Sequence, residues 1–317
     1  MFQQSDQATG TLRCEILALL TDMQNADGGW PFHAGGQSRV EPTCWAIRAI
    51  SDSQDLQSRA LDFLKSRQRA DGSWPATSEM ESGSWVTSLA CSILARAPGC
   101  RKSVSTGMLW LCEDYPRDSS PWQKFLKKFY NLSHIVAHND SYRGWGWTPR
   151  TSSWVEPTAF ALMAFQDREA GDSQHSAQIA ERRDLALSLL YDRMCPGGGW
   201  NCGNPRVYGV DGDPLVLPTC WALLALRNAP EHPNRDLSLA WLRNAFPTIE
   251  TAGSLAVARI TLENYGIEPP AAKRNLSSWT GQEIAEQGSH VMAWVSLALN
   301  PARTWPGVAC SQTQVAQ

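Results

Sequence analysis

The chain of 317 residues is short of charge of either sign in excess: 28 Lys and Arg stand against 31 Asp and Glu, a net charge of −3. That balance gives no reason to expect a nucleic-acid partner. No uncharged stretch reaches the roughly 20 residues that a bilayer-spanning helix requires. The first residues, Met1 to Gln7, carry no basic region followed by an apolar run, so no leader is read there and a cytoplasmic location is expected. Alternation of apolar and polar residues is missing, which leaves little room for strands. The nine cysteines are odd in number and scattered. Cys44, Cys91 and Cys220 lie inside apolar runs, as reduced cysteines used as small hydrophobes do. His134 and His138 have the i, i+4 spacing of a metal pair, but no Glu follows the first and no third ligand is evident. No metal or other cofactor is therefore expected.

What the chain has is tryptophan, fifteen of them, and a repeat. Gln24-Asn-Ala-Asp27-Gly28-Gly29-Trp30-Pro31 returns as Gln68-Arg-Ala-Asp71-Gly72-Ser73-Trp74-Pro75. Looser copies stand at Arg143-Gly-Trp-Gly-Trp147 and Pro196-Gly-Gly-Gly-Trp200. Before the first turn runs an amphipathic segment with apolar residues at Leu12, Ile16, Leu17, Leu19, Leu20 and Met23, a helical period. The Gly residues stop that helix because they adopt left-handed backbone angles cheaply. After each turn comes a segment apolar nearly all round, such as Pro42 to Ile50 or Pro218 to Leu226, and such a helix is buried. Pro at its start suits the first helical turn. The pattern predicts inner helices at about 42–50, 84–95, 157–166, 218–227, 253–264 and 289–299. The expected fold is all-α, an α/α toroid of about six hairpins. One domain over 1–308 and a loose tail over 309–317 are expected.

The Gln-x-x-Asp-Gly-Gly/Ser-Trp turns resemble the QW motif of squalene–hopene and oxidosqualene cyclases, and the Glu-Pro-Thr segments resemble the wider prenyltransferase/squalene-oxidase repeat group. The likeness runs from about residue 12 to 300. It implies a single barrel of inner and outer helices around a central apolar cavity, and a polyisoprenoid as the bound molecule. In that group the turn tryptophans are structural, which assigns Trp30, Trp74, Trp147 and Trp200 to the turns. The chain departs from the family in two ways. It is long enough for one barrel where triterpene cyclases have two. It also lacks the Asp-x-Asp-Asp run that supplies their proton; Asp211-Gly-Asp213-Pro214 comes nearest.

A cyclase needs an acid in an apolar place. Glu41 and Glu156, each two residues before a Thr in Val-Glu-Pro-Thr, sit at the offset of the family's acid. Burial at a helix mouth would keep such a carboxyl protonated. The alternative is a structural cap, since a helix N-terminus favours a carboxylate. Glu156 has the better claim because Trp145, Trp147 and Trp154 precede it. Asp211 and Asp213 are further acid candidates, although Asp-Gly-Asp-Pro is ordinary turn chemistry. Trp45, Trp85, Phe160, Trp221 and Trp294 fall on inner helices and are candidates to line the cavity, where ring faces attract cations at about 0.5–2 kcal/mol per contact. Over 116–140, Trp122, Phe125, Leu126, Phe129, Leu132 and Ile135 form an apolar stripe beside Lys124, Lys127 and Lys128. That is the composition of a peripheral contact with an anionic membrane face. The first reading of function is a terpene-cyclase-like enzyme acting by protonation. The second is a non-catalytic toroid binding a lipid or a protein. The third is a protein similar to a prenyltransferase β-subunit.

Overall fold

Each Gly-Trp turn is a point where outer and inner helices are tied by one residue, and the rest of the fold follows from repeating it. The computed structural model describes residues 2–50, 53–117, 121–130, 139–167 and 175–300. In the first turn the Trp30 amide donates to Thr43 Oγ1 at 2.8 Å, and its indole N–H donates to the Leu20 carbonyl at 2.7 Å. The same pair of bonds recurs from Trp74 to Thr87 and Leu64, from Trp145 to Thr158 and Leu111, and from Trp200 to Thr219 and Leu190. One residue thus joins, by its indole, the end of an outer helix and, by its backbone amide, the first turn of the next inner helix. In the third turn the residue that does this is Trp145, where Trp147 was expected; Trp147 lies two residues on, against Trp85.

Asp27 and Asp71 close the first two turns by accepting from the amides of Gly29 and Ser73, the usual Asx geometry. Gln24 and Gln68 reach from each turn to the start of the next outer helix, donating to Leu56 O and Ser103 O. Gly72 is required twice over. Its φ is +88°, and a Cβ there would stand 2.5 Å from the Thr106 carbonyl of that helix.

Among the described residues there are thirteen α-helices. The inner ones are α2 (Val40–Ala49), α4 (Val86–Leu94), α7 (Val155–Asp167), α9 (Val216–Leu226), α11 (Ala252–Asn264) and α13 (Ser289–Ala298). Every residue of α4 is buried, as is α9 from Pro218 onward. Each inner helix packs on the next, and α13 packs on α2, so the ring closes. Outside it, α3 (Gln54–Ser66), α5 (Arg101–Glu113), α8 (Ser176–Asp192) and α10 (Pro233–Ala245) cover α2, α4, α7 and α9. α1 (Phe2–Asp22) and the short α12 (Gly281–Ala285) cover α13. This is the expected toroid of six hairpins. Sheet among the described residues is one short hairpin, β1 (Arg206–Val207) with β2 (Val210–Asp211).

Rim loops lock the ring in one rotational sense. The carbonyl two residues beyond a turn Trp accepts the first free amide of the preceding inner helix. Phe32 O accepts from Ser289, Trp147 O from Trp85, and Cys202 O from Val155. At the opposite end, Arg48 of α2 donates to Ser92 of α4 at 2.6 Å and pairs with Asp167 of α7 at 3.4 Å. Asp167 also accepts from Ser92 and pairs with Arg96 at 2.6 Å. Burial pushes the Arg48 guanidinium down to about 10.

The apolar stripe expected in 116–140 is described in part. α6 (Pro121–Phe129) exposes Trp122, Phe125 and Phe129, with Tyr130 beside them. Leu132, His134, Ile135 and His138 lie outside the described residues, as does the 309–317 tail.

Candidate active site

Four inner helices, α2, α4, α7 and α9, each enter from the side of a Gly-Trp turn, so their first turns share one end of the ring. The residues two before the helix Thr are Glu41, Trp85, Glu156 and Leu217. The residues two after it are Trp45, Leu89, Phe160 and Trp221. The two sets are four apart and therefore stack on one helix face. On α13 the corresponding pair is His290 and Trp294. The ring thus carries a mixed rim over an aromatic layer.

The aromatic layer is continuous. Trp45 stacks on Trp221 at 5.5 Å, and both meet Trp294 edge-on at 5.8 and 5.6 Å. Phe160 lies 5.0 Å from Trp221 and 5.2 Å from Trp85. Because α2 and α9 stand on opposite sides of the ring, the contact of Trp45 with Trp221 spans its axis. These rings fill the middle at this depth, and Trp45, Phe160, Trp221 and Trp294 are each at most 8% exposed. They make a floor. Trp85 is half-buried above it and meets Trp147 edge-on at 5.2 Å.

Glu41 and Glu156 are both half-buried on the rim above this floor. Loss of water pushes the Glu41 carboxyl up to about 7, the nearby charge of Glu156 adds to the rise, and the Trp45 indole N–H opposes it. Glu156 is also pushed up to about 7, by burial. Neither carboxylate accepts a bond from a backbone N–H among the described residues, so neither is the helix cap that the sequence left open. Cys202 stands close enough to Glu156 for its own thiol to be pushed up by that charge, after burial. Removal from water is the shift a general acid needs near neutral pH.

The remaining expected acids are not part of this pair. Asp211 and Asp213 are exposed, and Asp211 pairs with Arg206 at 3.3 Å across the small hairpin. His290 completes the rim on α13. It packs edge-on against Phe32 and Trp294 at 5.2 and 5.0 Å, and burial pushes its imidazole down to about 4. It is neutral at physiological pH, with Nδ1 buried and unpartnered. The sequence reading did not single out His290 and took Trp147 for a turn residue. The four-residue offset from His290 to Trp294, matching Glu41 to Trp45 and Glu156 to Phe160, is the signal that places His290 on the rim.

No family model matches the chain. It is 24% identical over 255 residues, 67% of its length, to a drimenyl diphosphate synthase from Streptomyces showdoensis, of which the match covers 46%. The chain therefore spans about half the length of that relative. Among solved structures, a protein from Actinoplanes matches with a TM-score of 0.59 and 18% identity, over 92% of this chain and 98% of that one. A type II terpene cyclase from Scytonema, solved with merosterolic acid A as product and with geranylgeranyl dihydroxybenzoate as substrate, matches with TM-scores of 0.55 and 0.54. Both complexes are 13% identical and cover 83% of this chain, and 75% and 74% of their own. A glycosidase matches as well, with a TM-score of 0.55 and 13% identity over 93% of this chain and 98% of its own. At these identities the solved structures share the fold, and a shared fold hosts several chemistries.

Proposed function

We propose that this chain is a terpene-cyclase-like protein that receives an isoprenoid at the rim and initiates its cyclisation or isomerisation by protonation. The observation that carries the reading is the pair Glu41 and Glu156, desolvated together above an aromatic floor. A carboxyl held near 7 is still largely protonated where an exposed one is ionised. An alkene placed on Trp85 receives the proton from the rim, and the cation that forms meets the ring faces of the floor below it. The Streptomyces relative, a diphosphate-forming terpenoid enzyme by its name, supports the substrate class. So does the Scytonema cyclase, whose complexes hold an isoprenoid substrate and its product.

The test is turnover of squalene and of shorter polyprenyl substrates, with and without detergent, analysed for cyclised hydrocarbons and alcohols. A cyclised product that disappears in the Glu41→Gln, Glu156→Gln double variant supports the reading. Absence of turnover with every isoprenoid overturns it and leaves a binding module. One observation favours that second reading: the aromatic rings meet across the axis, so the ring is filled at the level of Trp45 and Trp221. A bound lipid would then rest on the rim.

We place contact with a lipid surface at α6. Trp122, Phe125 and Phe129 form a stacked ladder, at 5.7 and 5.8 Å, and are more than half exposed. The same nine residues include Lys124, Lys127 and Lys128 and no acid. Sedimentation with anionic vesicles should fall at least several-fold in Trp122→Ala/Phe125→Ala, and zwitterionic vesicles should bind less. Equal sedimentation of wild type and variant removes the contact. No helix among the described residues is long and apolar enough to cross a membrane.

A further inference from the structure

α13 brings His290 to the rim, and the imidazole is held from several sides. Its Nδ1–Cε1 edge lies against Gly288, where a Cβ would stand 2.9 Å from both atoms. Phe32 and Trp294 meet the ring edge-on at 5.2 and 5.0 Å. Ser289 pins the backbone beside it, donating from its amide to Phe32 O and from its hydroxyl to Pro31 O. A ring clamped in this way keeps one orientation, and its two nitrogens have different surroundings.

Those surroundings decide which nitrogen carries the proton. Nδ1 is buried and has no hydrogen-bond partner. It lies over Gly288, the residue just ahead of α13, where free amides give the helix its positive end. An N–H placed there would be unpaired and aimed at like charge, so a lone pair is favoured. The proton belongs on Nε2, on the edge turned away from Gly288. Burial and the nearby His33 keep the ring neutral. Trp294, one turn further on, is 8% exposed, and its indole N–H is buried without a partner too. The α13 wall has donors to give and lacks an acceptor.

We propose that His290 binds an oxygen of the isoprenoid: Nε2–H donates to a neutral hydroxyl or carbonyl oxygen and anchors that end of the ligand at α13. The proposal rests on the cyclase reading above for the isoprenoid itself. A neutral oxygen suits this wall better than a phosphate. A neutral imidazole supplies one donor and no charge, whereas phosphate groups are held by guanidinium or ammonium groups. The first turns of the six inner helices carry Glu41, Glu156 and His290 and no lysine or arginine. Arg39, just ahead of α2, pairs with Glu79. A phosphate at His290 would also set negative charge beside Glu41, which stands on the neighbouring helix α2.

The order of the ring then sets how the ligand lies. The inner helices follow one another as α2, α4, α7, α9, α11 and α13 before closing on α2, so α13 faces α7 across the mouth. With its oxygen at His290, the chain crosses the floor over Trp294, Trp45 and Trp221, whose rings are in contact. Its far alkenes then reach Phe160 and, above that ring, Glu156. A hydrocarbon without an oxygen has no such anchor and can lie in either direction.

The experiment has two arms on the full chain. Nitrogen-15 NMR of histidine-labelled protein, with His290→Phe to assign the signal, reads the tautomer at neutral pH. It should show a protonated Nε2 and a bare Nδ1, with the Nε2 signal moving when geranylgeraniol is added. A proton on Nδ1 overturns the proposal. Tryptophan fluorescence then measures binding of geranylgeraniol, geranylgeranyl diphosphate and the matching hydrocarbon without oxygen. Geranylgeraniol should bind tightest. His290→Phe keeps a ring and removes the donor, so it should weaken the alcohol about five-fold or more and leave the hydrocarbon where it was. His290→Gln, which keeps an N–H, should recover part of the loss, and it replaces the Phe variant should that one fold poorly. Equal weakening of alcohol and hydrocarbon, or a diphosphate that binds more tightly than the alcohol, overturns the proposal. If the alcohol binds through His290 and no isoprenoid turns over, the oxygen site stands and the cyclase reading falls. If isoprenoids turn over and His290→Phe does not distinguish alcohol from hydrocarbon, the cyclase reading stands and the oxygen site falls.

Discussion

Single side chains in this protein carry loads that are easy to separate by substitution. Trp30 fills a fully buried space and ties α1 to α2 through two bonds. Trp30→Ala should cost about 3–5 kcal/mol, read as a lower urea midpoint with unchanged ligand response. Trp30→Phe should cost less, because an aromatic ring still fills most of the buried space and only the indole bond and part of the ring are lost. If Trp30→Ala keeps the wild-type midpoint but loses a ligand response, the structural assignment is wrong. The rim carboxyls load the fold in the opposite direction. Their folded pKa values, about 7, lie above the unfolded 4.5. Below about 4.5 both states hold the protons and the pair is neutral for stability. As pH rises toward 7 the unfolded chain releases protons that the folded chain still binds, so stability falls through that window. Glu41→Gln/Glu156→Gln should therefore melt higher than wild type at pH 8, with the gain shrinking toward zero at pH 4. The effect is on the order of 3 kcal/mol per group at most. A gain independent of pH would contradict burial of ionisable carboxyls.

Helices and turns were the part most readable from the chain. Inner helices announce themselves by residues that are apolar on every side, and the structure buries all of α4. The misassigned turn shows what was overlooked. Trp30 and Trp74 stand 13 residues before the Thr they bind, and so does Trp145. Composition alone could not separate Trp145 from Trp147, but that spacing does. Gly72→Ala tests the turn directly: its φ of +88° and the Thr106 carbonyl both oppose a side chain. The backbone term alone should cost about 1–3 kcal/mol, measured by denaturant midpoint, whereas Gly10→Ala, inside α1 where a Cβ meets nothing, should stabilise by about 0.5–1 kcal/mol. At the far end of the ring, Asp167→Ala strands Arg48 with its burial unpaid by charge. A loss of about 3–5 kcal/mol is expected, and Asp167→Asn should recover part of it through the bond with Ser92. Equal losses in both variants would mean that charge is not what Asp167 supplies.

At the scale of the whole molecule, the site was legible only as a set of positions. Glu41, Glu156 and the inner aromatics could be named from their offsets to a Thr, because local spacing fixes which face of a helix they share. That Trp45 would reach Trp221 across the axis, or that the charge of Glu156 would act on Glu41, depends on how helices far apart in sequence are brought round, and no local pattern contains it. The same applies to His290, which joins the rim only because α13 returns to α2. That return is made by Ser289, whose amide and hydroxyl donate to the carbonyls of Phe32 and Pro31, a join between residues 258 apart along the chain. During synthesis it cannot form early. At about 5–20 residues per second, the uncovered flank of α2 stays open on the order of ten seconds or longer before α13 emerges, with Cys44 and Trp45 in view of any chaperone or neighbouring nascent chain. α13 therefore acts as a kinetic latch, and what it guards when it closes is the apolar flank of α2.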